Sequence, residues 1–203
     1  MKKLVLLTLI FLTFSSYGNG ILRENLSGGS LAIWDADTVD STQLEFFQGY
    51  SINKYLDTKY EGVWGWQDVL MVGGGKGRID YFAFSGSLIP YYKNNSIYTP
   101  YFDLTYGYEF ASDIFSDYYI SNLPDSEWYR EWSLGTEVDL NRFNLPVSLD
   151  ISMGNIKYGD FGGVDFNNLN IYWWLKEKSA IQIGRTSYDT DSTITRFGYI
   201  SGF

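Results

Sequence analysis

In residues 100–110, PYFDLTYGYEF, every second side chain is large and apolar. Phe102, Leu104, Tyr106, Tyr108 and Phe110 share one face, while Tyr101, Asp103, Thr105, Gly107 and Glu109 share the other. A period of two is the signature of a β-strand whose two faces meet different surroundings. The pattern recurs along the chain. Leu44, Phe46, Tyr50 and Ile52 oppose Glu45, Phe47, Gly49 and Ser51; Leu56, Tyr60, Trp64 and Trp66 oppose Asp57, Lys59, Glu61 and Gly65. Val147, Leu149, Ile151 and Met153 oppose Ser148, Asp150, Ser152 and Gly154, and Leu169, Ile171, Trp173 and Leu175 oppose Asn168, Asn170, Tyr172 and Trp174. Apolar residues at helical spacing are scarce beyond the first twenty positions.

Ten strands are predicted, near 30–36, 41–52, 55–66, 78–91, 98–111, 128–140, 146–158, 167–176, 179–188 and 192–203. Their connectors alternate. Short ones ("NK", "NRFNL", "EK") fall on one side, and the long ones ("QDVLMVGGGKG" and "SDIFSDYYISNLPDSE") fall on the other. Short turns at one end, longer loops at the other and strands of about 10 residues or more are the habit of barrels that cross a bilayer. The fold expected is therefore all-β: a transmembrane antiparallel up-and-down β-barrel of about ten strands, within a range of 8 to 12.

A soluble sandwich or lipocalin-like barrel has the same parity, with its apolar face turned inward. The aromatic residues on the apolar parity separate the two. Trp64, Trp66, Trp128 and Trp132 cluster toward one rim, and Tyr50, Phe102, Trp173, Tyr199 and Phe203 toward the other, as two girdles at the edges of a bilayer would. Scattered core aromatics are the plainer alternative. Two strands fit imperfectly. RIDYFAFSGSLIPYY has aromatics on both parities, and Ile156 and Tyr158 fall on the polar phase after Gly154, where a bulge would restore the pattern. Arg130 and Arg185 lie on the apolar parity and are expected near a rim.

Residues 1–20, MKKLVLLTLIFLTFSSYGNG, combine two lysines, an apolar run from Leu4 to Phe14 and small residues after it, which is a secretory signal peptide pattern. The run is shorter than the roughly 20 residues a spanning helix needs, so a retained anchor is the lesser reading. The domain division expected is 1–20 signal peptide and 21–203 barrel. Loss of Lys2 and Lys3 takes the formal charge from −9 to −11. A nucleic-acid backbone is an unsuitable partner for so acidic a chain.

Histidine and cysteine are absent, which removes imidazole bases, thiolate nucleophiles and the usual zinc ligands. Nothing in the pattern calls for a metal or cofactor, and no enzyme is expected. The pair Glu137 and Asp150 could serve a glycosidase, but acids at many polar-parity positions are no more specific than composition predicts. GGGKGR at 73–78 lacks phosphate-loop spacing.

On the polar parity stand Glu45, Asp57, Glu61, Asp103, Glu109, Glu131, Glu137, Asp139 and Asp150, with Lys59 and Lys176 as bases. Nine acids against two bases call for hydration, cations or protonation inside the barrel. Phe47, Tyr101, Tyr129, Tyr172 and Trp174 share that parity with Asn168 and Asn170. They could stack a planar solute while carboxylates and amides meet its polar edge, or they could fill a narrow barrel. The expected pore-lining set is Glu45, Phe47, Asp57, Tyr101, Asp103, Glu109, Tyr129, Glu137, Asp150, Asn170, Tyr172 and Trp174.

DSTQLEFFQGYSINKYLDTKYEGVWGW, followed by EWSLGTEVDLNRFNLPVSLDISM with Trp132, Gly135, Val138 and Asp139, resembles two strand hairpins of the nucleoside-specific channel-forming, Tsx-like family of outer-membrane proteins. The resemblance runs over Ser30 to Leu175 and implies a barrel that passes nucleosides. Members of that family have twelve strands where ten are counted here, and none of their binding residues is carried over. The ending TITRFGYISGF, with Phe197, Tyr199 and Phe203 at alternate positions, resembles the signal by which outer-membrane assembly machinery recognises barrels. The function expected is a Gram-negative outer-membrane channel for small solutes in contact with the lipid bilayer. The alternative is a closed structural or interaction barrel whose loops, chiefly 112–127, bind partners.

Overall fold

The computed structural model describes residues 25–36, 39–70, 76–92, 96–112, 126–159 and 162–203. The segment expected to be a signal peptide and most of the 112–127 loop lie outside them, as does much of GGGKGR. Ten strands follow in order: β1 (Leu26–Ala36), β2 (Val39–Asn53), β3 (Leu56–Leu70), β4 (Lys76–Pro90), β5 (Tyr98–Ser112), β6 (Glu127–Asp139), β7 (Val147–Tyr158), β8 (Gly163–Lys176), β9 (Ser179–Tyr188) and β10 (Thr193–Gly202). Each pairs antiparallel with its sequence neighbours, and β1 pairs with β10 to close the barrel. Closure leaves no strand edge unpaired.

Alternation sets this topology, and the small residues set where it differs from expectation. β1 begins at Leu26, four residues earlier than the apolar pattern indicated, because Ser27, Gly28, Gly29 and Ser30 carry no hydrophobic signal. They are strand residues all the same, in register with Ser201 to Gly198 on β10 and Gln48 to Glu45 on β2. A Cβ on Gly28 would come within 2.6 Å of Phe47 Cε1 and 2.8 Å of the Tyr199 carbonyl oxygen. β3 and β4 likewise extend beyond 66 and before 78 as one hairpin, paired from Leu56↔Pro90 to Leu70↔Lys76.

The expected bulge near Gly154 is absent. β7 keeps unbroken register with β6 and β8 through Gly154, Asn155 and Ile156. Ile156 and Tyr158 face inward because the interior there is aromatic. Register shifts occur instead at Ser51/Asn53 and Trp174/Lys176, beside the turns at the end that holds both termini. The β6–β7 connection contains a short 3-10 turn, Asn141–Phe143, closed by Asn144 in left-handed conformation (φ 60°), which asparagine tolerates better than most residues.

The outer surface is apolar. Met153 is 62% exposed, Phe84 59% and Leu134 55%, and Leu31, Leu104, Ile151, Ile171, Ile183 and Phe197 are exposed beside them. Side chains that would each gain about 1.5–3 kcal/mol from leaving water form a continuous belt far larger than a soluble monomer exposes. The interior holds the buried polar residues: Glu137 is 2% exposed, and Ser87, Thr99, Ser133 and Ser148 are equally enclosed. Polarity is thus inverted relative to a soluble barrel.

Candidate lumen and rim sites

Strand parity delivers every acid named on the polar face to the interior. Glu45, Asp57, Glu61, Asp103, Glu109, Glu131, Glu137, Asp139 and Asp150 alternate with outward side chains along β2, β3, β5, β6 and β7. They are distributed through three layers.

At the terminal end the interior is a packed floor. Leu26, Tyr172, Trp174, Ala180 and Ile200 form one buried cluster with Phe47 against it, and Ile89 and Tyr91 form a second with Tyr101. Trp174 Nε1 donates to Ser148 Oγ at 2.9 Å, so the one polar atom of its ring is satisfied inside the barrel. Phe47, Tyr101, Tyr172 and Trp174, expected to line a pore, pack inside the barrel in these two clusters.

Above the floor lies a layer of hydrogen-bonded polar groups. Tyr101 Oη donates to Asp150 Oδ1 at 2.5 Å, Asn170 Nδ2 donates to Asp150 Oδ2 at 3.2 Å, and Gln182 Nε2 donates to Asn170 Oδ1 at 3.1 Å. Glu137 lies opposite Asp150 in the β6–β7 register. A second network starts at Arg196, whose Nε donates to both Glu45 oxygens at 2.9 Å and whose Nη1 donates to Thr186 Oγ1 at 2.5 Å. It continues through Thr186 Oγ1 to Asn168 Oδ1 at 3.0 Å, and Ser30 Oγ donates to Glu45 Oε2 at 2.6 Å. On β3, next to β2, Lys59 Nζ lies 3.0 Å from Glu61, and on β5 Thr105 Oγ1 donates to Asp103 Oδ1 at 2.9 Å. This is how buried charge is tolerated: Arg196 and Lys59 each have a carboxylate partner.

Arg196 is the functional residue that the pattern analysis missed as an inward base. It sits on the Gly198, Ile200 and Ile194 parity of β10, a strand that carries no acid to mark it. Lys176, expected inside, is exposed at the end of β8. At that register shift the chain is already leaving the barrel.

Toward the far end the interior widens into an aromatic and acidic layer. Tyr81 of β4, Tyr129 of β6, Tyr158 of β7 and Tyr188 of β9 face inward here, with Glu109 and Glu127 directly opposed in register. Glycines seat the rings. A Cβ on Gly65 would meet Tyr81 Cζ at 2.0 Å, one on Gly107 would meet Tyr129 Cζ at 2.3 Å, and one on Gly135 would meet Tyr101 Cζ at 2.3 Å. Each tyrosine is folded into a notch left by an inward glycine on the adjacent strand, a device that pins register and spares the lumen.

The aromatic residues assigned to the rims do face outward, though not all at a rim. Trp66, Trp64, Phe82 and Phe110 form a chain of ring contacts of 5.2–6.3 Å across β3, β4 and β5, and Trp128 stacks on Tyr106 at 5.1 Å. Trp64 lies near the middle of β3, because that strand runs on to Leu70, further at the far end than the pattern indicated, and Trp132 lies near the middle of β6, whose bounds are close to those expected. At the terminal end Trp173 is exposed, and Phe203 packs edge-on against Tyr50 at 5.7 Å, with its backbone N–H donating to the Asn25 carbonyl oxygen at 3.0 Å. One outward charge cluster was not foreseen. Asp80 is fully enclosed on the outer face, accepting from Arg78 Nη2 at 2.8 Å and Trp64 Nε1 at 3.3 Å, with the guanidinium 5.2 Å from the Trp66 ring. Neutralisation and stacking make the pair compatible with an apolar surface.

No protein-family model matches the chain, and no curated protein matches it. Several solved structures are similar in fold. The outer membrane protein OprG from Pseudomonas aeruginosa aligns at 16% identity over 92% of this chain and 98% of its own, with a TM-score of 0.49. An outer membrane channel from Pseudomonas putida F1 aligns at 8% identity over 94% and 100%, also at 0.49. Neisserial surface protein A aligns at 12% identity over 88% and 95%, at 0.42.

Proposed function

We propose that this chain is an outer-membrane β-barrel of a Gram-negative bacterium and that it admits small solutes through its lumen. The observation that carries the reading is the inverted polarity: an apolar belt outside, charged and hydrogen-bonded side chains inside, in a sheet with no free edge. In a bilayer only a closed barrel or a helix satisfies every backbone group. Residues 1–20 act as the export signal, Trp66, Trp128 and Trp173 anchor the two interfaces, and the ending with Phe197, Tyr199 and Phe203 is what the assembly machinery recognises. Solutes enter from the far end past Glu109 toward Lys59, Glu61 and Asp103 in the layer below, all of which keep part of their surface accessible. Small neutral or cationic molecules suit an interior whose acids outnumber its bases, and nucleosides, with a planar base and hydroxyls, fall in that class.

The packed floor favours a second reading, in which the lumen is closed and the barrel is a structural or interaction protein. Bilayer conductance and liposome uptake of uridine by the refolded protein decide between them. The channel reading expects discrete conductance steps and solute uptake above that of empty liposomes. Absence of both, from protein that shows heat-modifiable gel migration, leaves the closed barrel.

A further inference from the structure

The tyrosine layer at the far end has a chemistry that filling alone does not require. Four inward tyrosines come there from four different strands, with carboxylates within electrostatic reach. Tyr129 and Tyr158 are in contact, with centroids 5.4 Å apart, and Tyr188 continues the collar to Phe166 at 6.1 Å and to Trp34 at 6.3 Å. Tyr81 stands opposite on β4, its hydroxyl 3.1 Å from Ser41 Oγ. Tyr158 lies within electrostatic reach of Glu109 and Glu131, and Tyr129 within reach of Glu61, Glu109 and Glu131. Tyr188 lies beside Arg196 and, further off, within reach of Glu131.

Charge at this level is only partly compensated, with Lys59 and Arg196 within electrostatic reach of Glu131. The inward bases among the described residues, Lys59 and Arg196, are already committed to Glu61 and Glu45 at 3.0 and 2.9 Å. Glu109, Glu127 and Glu131 have no ion pair among the described residues, and Glu109 and Glu127 face each other directly across β5 and β6. Like charges opposed in this way destabilise a sheet, so a cation between the rings would relieve the layer. These carboxylates are nevertheless too dispersed for a bare ion: among the described residues no three potential ligands converge as a metal site. Gly65 and Gly107 seat the Tyr81 and Tyr129 rings against the wall.

We infer that the collar of Tyr81, Tyr129, Tyr158 and Tyr188, with Glu109, Glu127 and Glu131, binds an organic ammonium ion of about the size of a quaternary amine. Aromatic faces attract such a cation through the ring quadrupole, while the acids supply charge that needs no close coordination. The inference rests on the membrane-barrel reading, in which this layer is the mouth of the lumen, but it does not depend on conduction.

Calorimetric titration of the protein in detergent micelles with choline, against its neutral isostere 3,3-dimethylbutan-1-ol, tests it. The site should bind choline at least about tenfold more tightly than the isostere, since charge and cation–π attraction together exceed the roughly 1.4 kcal/mol that tenfold represents. Glu109→Gln with Glu127→Gln, checked for folding by heat-modifiable migration, should remove most of that preference, as should Tyr129→Leu. Equal affinity for the two probes, or no heat with choline, overturns the inference. If the variants do not fold, the comparison of probes on the unaltered protein decides alone. Choline binding without conductance would retire the channel and keep the site; conductance without choline preference would do the reverse.

Discussion

Arg196→Ala should be among the most damaging single substitutions inside the barrel. Its guanidinium sits over β1 and joins β10 to β2, with both Glu45 oxygens at 2.9 Å and Thr186 at 2.5 Å. The two can meet because the β1 residues beneath them are Ser30 and Ala32. Only 19% of either side chain is accessible, so the pair is largely desolvated. Removing one member of such a pair costs about 3–5 kcal/mol, chiefly because the other charge is left uncompensated. The residual exposure argues for the lower end, about 3 kcal/mol, or roughly two orders of magnitude in the folding equilibrium. Glu45→Ala should cost a similar amount, and the double variant little more than either single one. Urea unfolding in micelles, read by the folded-to-unfolded gel shift, measures all four corners of the cycle. Additive losses, or a single-variant loss below 1 kcal/mol, would show that the pair does not clamp the β1–β10 closure.

Other consequences follow from the same geometry. Gly154→Ala should be more harmful than Gly107→Ala, because its Cβ would meet the Trp132 carbonyl oxygen at 2.1 Å, whereas the Gly107 Cβ meets the outer end of Tyr129; comparative refolding yields check the order. Ile151→Lys, on the outer face, should cost about 2–4 kcal/mol in a bilayer and much less if water bathes that face, as measured by unfolding in vesicles. Deleting Phe203 removes the ring on Tyr50 and the bond to Asn25, and should reduce insertion in cells well below the unaltered level on membrane fractionation. Asp103→Asn with Glu109→Gln should lower cation preference in any conductance, read from the reversal potential under a salt gradient.

Strand number and parity were legible because side chains on opposite faces of each strand meet opposite surroundings. β5 is the plainest example, from Tyr101 to Phe110. Strand ends were less legible where packing, not polarity, selects the residue. Gly28 is required by Phe47, Gly65 by Tyr81 and Gly107 by Tyr129, and a glycine in isolation carries no sign of the ring that fills its place. The Ile156 and Tyr158 phase looked like a bulge because apolar residues on the polar parity contradict a hydrated lumen; they fit an interior that is aromatic at that height. Whether Phe47, Tyr172 and Trp174 line a passage or close it depends on their joint packing with Leu26, Ala180 and Ile200, drawn from β1, β2, β8, β9 and β10. No single strand's pattern contains that information. Arg196 belongs to the same class, since its partner Glu45 is 151 positions away.

Which face of the sheet meets lipid is directly measurable, because the chain contains no cysteine. Single cysteines placed along β5 and spin-labelled in vesicles report collisions with oxygen, which concentrates in lipid, and with a water-soluble nickel chelate. Labels at Phe102, Leu104, Tyr106 and Tyr108 should favour oxygen strongly, and those at Tyr101, Asp103, Thr105 and Glu109 should not, giving a period of two along the strand. Nickel collisions dominating at Phe102, Leu104, Tyr106 and Tyr108 would contradict the membrane barrel.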